Sequence, residues 1–170
     1  IQSFKNEVLG LPFSTAAATE TADEETLYQC VTDLGGAEVP AWARALVWSV
    51  DRQKGGADFS ESYLEASLWA FGPGRRPFLV SHWVLDEFPQ TDQRCWDALE
   101  ALATRTFVDT DGRPRKADGL AIDHNGGLTS IVNKWVQRMR RIPGRKYWVA
   151  VNGESKGNGN RGKTIWPRAA

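Results

Sequence analysis

The sequence predicts an α/β domain built on one mixed sheet of five strands, the first three antiparallel and the last two reached by βα crossovers, with helices flanking it. Three observations carry this. Residues 63–70 alternate Tyr63, Glu65, Ser67, Trp69 against Leu64, Ala66, Leu68, Ala70, the period of a half-buried strand. Two later stretches repeat apolar residues at helical spacing. Two short apolar runs, Ala45–Val50 and Gly119–Ile122, are each closed by an aspartate, Asp51 and Asp123.

In chain order, residues 1–43 read as a lead-in, with a short helix expected over Asp23–Thr32. The first strand covers about 44–51, and Gly55-Gly56 turns the chain into a second strand over about 60–71. Gly72-Pro73-Gly74 breaks that strand. A third follows over about 77–86, then a helix over about 92–104 with Cys95, Leu99 and Leu102 on one face. After the polar turn Asp111-Gly112-Arg113-Pro114, a fourth strand ends at Asp123. Leu128, Ile131, Val132, Trp135, Val136 and Met139 form the second helix, which Pro143 stops. Tyr147–Val151 is the fifth strand. Three strands on short turns, then helix, strand, helix, strand, is the element order of the ribonuclease H-like fold. There the fourth strand lies parallel beside the first, so Asp51 and Asp123 are expected to meet at one sheet edge.

Composition sets the outer bounds. The 170 residues, 41% hydrophobic with eight tryptophans, suffice for one packed core. Two cysteines far apart, Cys30 and Cys95, argue against a disulfide framework or a zinc site and suit a reducing compartment. No apolar run reaches the ~18 residues of a membrane span, and no signal peptide is expected. The formal net charge of zero is unevenly spread: Lys134–Arg168 carries ten Lys/Arg against Glu154 alone. A charge run is commonly a solvated face, but a basic end on an otherwise acidic chain also suits a polyanion such as nucleic acid.

Carboxylates closing two buried strands are costly unless a partner compensates. A bridging divalent cation would remove their repulsion, and oxygen-only ligation suits Mg²⁺ or Mn²⁺. A pair of such ions activates water and stabilises the leaving oxygen of a phosphodiester, which makes Asp51 and Asp123 candidate catalytic and metal-holding residues. The plain alternative is that both aspartates only cap turns. His124 is a candidate ligand or proton carrier, although a loop histidine making ordinary hydrogen bonds is the commoner case. Glu65, Glu154 and the pair Asp86-Glu87 are further carboxylates that ordinary solvation also explains. On the second helix Lys134, Arg138 and Arg141 form a stripe suited to DNA phosphates. Residues 157–164 satisfy the phosphate-loop spacing G-x-x-x-x-G-K-[ST]. Ile165-Trp166-Pro167 follows immediately, where a phosphate loop requires a helix, so a flexible basic loop is expected instead.

The chain resembles the large terminase subunit of tailed bacteriophages, in its lambda-like group. The likeness rests on Phe4-Lys5-Asn6-Glu7-Val8-Leu9-Gly10, Ser49-Val50-Asp51-Arg52-Gln53, Ala121-Ile122-Asp123-His124-Asn125-Gly126-Gly127 and Gly162-Lys163-Thr164-Ile165-Trp166-Pro167-Arg168, in that order over nearly the full length. It implies a ribonuclease H-like nuclease domain over residues 44–170, cutting concatemeric double-stranded viral DNA in the host bacterial cytoplasm with carboxylate-bound Mg²⁺ or Mn²⁺, in a two-metal site. Asp51 matches the family's first-strand aspartate and Asp123 the acid after the fourth strand. The resemblance further implies an ATPase motor ahead of residue 43, a third metal-binding acid beyond the Ile-Trp-Pro motif, and terminase small subunit and portal protein as partners of the full-length protein. A non-catalytic DNA-binding or docking module on the same fold is the alternative, and metal-dependent nicking separates the two.

Overall fold

The computed structural model describes residues 38–152, apart from Arg76, Gly126 and the side chain of Arg75; all belong to one unit, Leu34–Ala170. The helix expected over 23–32, Cys30, Glu154 and the glycine-rich stretch 157–164 lie outside the described residues.

Strands β1 (Ala45–Gln53), β2 (Tyr63–Phe71) and β3 (Pro77–Leu85) are joined by short turns, and helix α1 (Gln93–Ala103) follows. The chain continues through β4 (Phe107–Val108), β5 (Pro114–Arg115), β6 (Gly119–Asp123), helix α2 (Thr129–Arg140) and β7 (Trp148–Val151). The five-stranded sheet has the order β3-β2-β1-β6-β7. β1, β2 and β3 pair antiparallel, while β6 lies parallel to both β1 and β7. This is the mixed sheet that the element order predicts. β6, the fourth expected strand, is β1's parallel neighbour.

Alternation divides the sheet into two faces. Leu46, Trp48 and Val50 of β1, Leu64, Ala66, Leu68 and Ala70 of β2, and Leu120 and Ile122 of β6 are buried in one core with α1 and α2. Helix α1 contributes Cys95, Trp96, Leu99 and Ala103, and α2 contributes Val132, Trp135, Val136 and Met139. Tryptophans fill much of the space: Trp135 stacks between Trp96 and Trp148, with ring centroids 5.6 Å from each. Trp48 packs on Trp83 at 5.2 Å. Helix α1 is capped by Asp92, whose side chain accepts from the Arg94 N–H at 2.9 Å.

Three details differ from the expectation. β1 runs on to Gln53, placing Asp51 inside the strand. β2 begins at Tyr63 rather than near residue 60, because Phe59 takes a left-handed φ of 63° and the Ser62 N–H bonds back to its carbonyl. The polar turn at 111–114 is flanked by the two-residue strands β4 and β5. Buried Asp109 organises this hairpin, its Oδ1 accepting from the N–H groups of Asp111 and Arg113 at 3.0 and 2.8 Å. From the end of the expected lead-in, Val39 and Ala43 are in the core.

Candidate active site

The parallel pairing of β1 with β6 sets Val50 beside Ile122. Asp51 and Asp123 follow these two residues and alternate to the opposite face, away from the helices. Neighbouring strands lie about 4.8 Å apart, so the two aspartates are adjacent at the C-terminal edge of the parallel pair, where open α/β sheets bind ligands.

Each carboxylate is oriented locally. Asp51 Oδ1 accepts from the Arg52 N–H at 2.9 Å and Oδ2 from Gln53 Nε2 at 2.7 Å. Asp123 Oδ1 accepts from the Asn125 N–H at 3.0 Å. One strand to the other side, Glu65 stands opposite Asp51 in the β1–β2 register. His82 lies beside it, Nε2 at 3.9 Å from Glu65 Oε2 and Nδ1 at 2.9 Å from Ser67 Oγ. Asp123, Asp51 and Glu65 thus form a row across three strands on one face.

Among the described residues, Arg52 sets a positive charge close enough to feel both aspartates. Burial lowers its pKa from the usual value, while the charges of Asp123 and Asp51 act in the opposite direction and favour the guanidinium. Its three nitrogens are spent on the protein: Nε donates to Gln90 Oε1 at 2.9 Å, Nη1 to the Asn125 carbonyl at 3.1 Å and Nη2 to the Gly127 carbonyl at 2.8 Å.

The expectation of buried carboxylates is corrected: Asp51 is exposed and Asp123 half-buried. Both sit on the outer face of strands whose inner face forms the core, so solvent covers much of their desolvation cost. The oxygen donors suit a small hard cation. Mg²⁺ typically takes one or two carboxylates and keeps several waters, which an open pair allows. Among the described residues no three His, Cys, Asp or Glu side chains are grouped to hold an ion. The His124 ring is engaged elsewhere, Nδ1 lying 2.7 Å from Asn152 Oδ1, with Nε2 buried and without a partner among the described residues. Asp86 and Glu87 are exposed just beyond β3.

The basic residues lie on the other side of the sheet. Lys134 and Arg138, one helical turn apart on α2, line a cleft of about 320 Å³ with Thr91, Gln93, Trp96 and Ile131. Arg138 Nη2 is 3.6 Å from Glu100 Oε2 on α1, and Arg145 Nη1 donates to Glu100 Oε1 at 2.9 Å. Arg141 is the C-cap residue of α2 and is exposed. The carboxylates and the basic stripe are therefore on opposite faces of one sheet. Sequence reasoning passed over Arg52 and Gln90 as site residues. The signals for Arg52 were its place directly after Asp51 and within the stretch Ser49–Gln53 that carries the family resemblance.

The mixed sheet with its flanking helices is compatible with a ribonuclease H-like nuclease fold. The family model of the terminase large subunit gpA endonuclease domain matches residues 1–166, and the chain belongs to that family. No curated protein and no solved structure matches it significantly. Among the described residues no helix is long and apolar enough to cross a membrane.

Proposed function

We propose that this domain hydrolyses phosphodiester bonds of double-stranded DNA during genome packaging, with Asp51 and Asp123 holding Mg²⁺ or Mn²⁺. The observation that carries the reading is the parallel β1–β6 pairing, which sets the two aspartates side by side on the outer face. Bound there, divalent ions would supply a nucleophilic water at neutral pH and neutralise charge on the leaving oxygen. The protein's own contribution is positional. Hydrogen bonds from Arg52, Gln53 and Asn125 aim the carboxylate lone pairs. Arg52 places a guanidinium beside them, each of whose three nitrogens donates to the protein.

DNA would lie across the C-terminal strand edge, reaching the carboxylates on one face and Lys134, Arg138 and Arg141 on the helical side. Concatemeric viral DNA as the substrate, the small subunit and portal protein as partners, and the host bacterial cytoplasm as the location follow from the same family reading.

The test is nicking of supercoiled plasmid with Mn²⁺ and with chelator. Asp51→Asn and Asp123→Asn should each abolish nicking and leave DNA affinity equal or slightly higher, because a negative charge facing phosphate is removed. DNA binding without metal-dependent nicking in the unaltered chain would instead support a non-catalytic docking module.

A further inference from the structure

We infer that Arg52 is a positioning residue: its guanidinium fork locks the loop after Asp123 onto the strand that carries Asp51, and so fixes how the two carboxylates are presented to an ion. The inference rests on the proposed role of those aspartates and assigns a task to residues outside the pair.

Arg52 follows Asp51, so its side chain leaves the outer face and turns toward the edge of the core, opposite Leu64 in the β1–β2 register. A half-buried guanidinium is costly unless its donors are satisfied, and here all three nitrogens are bonded. Two of those bonds end on loop carbonyls, at Asn125 and Gly127. Asn125 is the link to the site. Its carbonyl accepts from Arg52 Nη1, while its N–H donates to Asp123 Oδ1. A shift of this loop would therefore turn the Asp123 carboxylate with it.

The other end of the clamp is immobilised by Gln90, which is 0% exposed. Gln90 Nε2 donates to the carbonyls of Gln53 and Tyr63 at 2.9 and 2.7 Å, which leaves Oε1 facing Arg52. Its backbone is held as well, its N–H bonding Ser62 Oγ at 2.9 Å and its carbonyl accepting from Trp96 Nε1 at 2.8 Å. From the opposite side the Phe59 ring closes on Gly127. A Cβ at Gly127, whose φ is +94°, would fall 2.7 Å from Phe59 Cζ. Phe59 and Leu128, the residue that opens α2, both hold left-handed φ values, 63° and 50°. Such conformations persist where surrounding structure over-determines them, and they gather at functional sites.

The experiment uses the whole chain and compares Arg52→Gln, Arg52→Lys and Phe59→Ala with the unaltered protein. Mn²⁺ affinity is read from the spin resonance of bound and free ion without DNA. Nicking is read against Mn²⁺ concentration, and amide exchange at Asn125 without any ion. Arg52→Gln should weaken Mn²⁺ binding on the order of tenfold, the scale of one lost hydrogen bond to a charged group. It should also speed exchange at Asn125 and move the Mn²⁺ dependence of nicking to higher concentration by a similar factor. Arg52→Lys should fail to rescue, because an ammonium keeps the charge but cannot make the fork. Phe59→Ala loosens the same loop from an exposed hairpin. It should weaken Mn²⁺ binding by about threefold, less than loss of the charged fork, and it provides the reading if the Arg52 variants do not fold. Unchanged Mn²⁺ affinity and Asn125 exchange in the folded variants, or full rescue by lysine, would overturn the inference. If the unaltered chain binds no Mn²⁺ while Asn125 protection still depends on Arg52, the metal reading of the aspartates fails and the clamp stands.

Discussion

Asp51 and Glu65 face each other across the antiparallel β1–β2 ladder, two carboxylates directly opposed on the outer face. Like charges in such a pair destabilise a sheet by roughly 0.2–1 kcal/mol. Glu65→Gln should therefore stabilise the metal-free domain by about that much at low salt and pH 8, raising the thermal midpoint by a few degrees at most. Saturating Mn²⁺ should shrink the gain, since an ion beside Asp51 already offsets the repulsion. Thermal melts of both proteins with and without Mn²⁺ check this. A gain that is the same in both conditions would mean that no ion settles near Asp51.

The fold was legible where burial follows a simple period. Leu64 to Ala70 alternate without interruption, and Cys95, Leu99 and Val132 to Met139 keep helical spacing, so β2 and both helices could be read from the residues. The two aspartates were legible because each ends an apolar run. Their exposure was not, since a strand buried on one face and a strand buried on both can look alike over five residues. Gln90 was illegible for a different reason. It sits in a polar connection and is buried only because the β1–β2 hairpin and Trp96 close around it. Strands β4 and β5 are two residues each, too short to show any period.

Trp48 and Trp96 offer a controlled comparison, for both are buried but only one indole N–H is satisfied. Trp96 Nε1 donates to the Gln90 carbonyl at 2.8 Å, whereas Trp48 Nε1 has no partner among the described residues. Trp→Phe removes similar volume at each site. At Trp48 it also removes an orphaned donor, while at Trp96 it strands a buried carbonyl. Trp96→Phe should be the costlier by about 1–2 kcal/mol in urea unfolding. Equal costs would show that cavity formation alone sets both.

Burial pushes the Cys95 thiol up from 9.0 to about 11, with the Asp92 charge adding to the effect. A pKa raised on folding contributes stability that is fully present below pH 9 and is lost as pH rises toward 11. In a Cys30→Ser background, which leaves Cys95 as the single cysteine, thiolate absorbance should rise near pH 11 in the folded chain and near pH 9 in denaturant. Cys95 should accordingly resist thiol reagents at neutral pH. Ionisation near 9 in the folded protein would contradict the burial account.

The basic stripe can be tested by salt dependence and by an acid that already occupies part of it. If Lys134, Arg138 and Arg141 touch phosphates, alanine at each should weaken binding alike on all sequences and flatten the slope of log affinity against log salt by about 0.9 for every phosphate no longer neutralised. Arg138 starts from a handicap, because Glu100 Oε2 lies 3.6 Å from its Nη2 and must be displaced or shared when phosphate arrives. That ion pair is half-exposed and long, so it contributes little to stability. Glu100 also accepts from the more buried Arg145 Nη1 at 2.9 Å, so replacing it should cost some stability through that pair while freeing Arg138 for phosphate. Glu100→Gln should tighten DNA binding at low salt, with the advantage fading as salt rises, and Arg138→Ala should cost less affinity than Lys134→Ala in the unaltered background. In the Glu100→Gln background the two costs should converge. A triple alanine variant with unchanged affinity and slope would make the stripe an ordinary solvated face, and DNA would then reach Asp51 and Asp123 from the outer face alone.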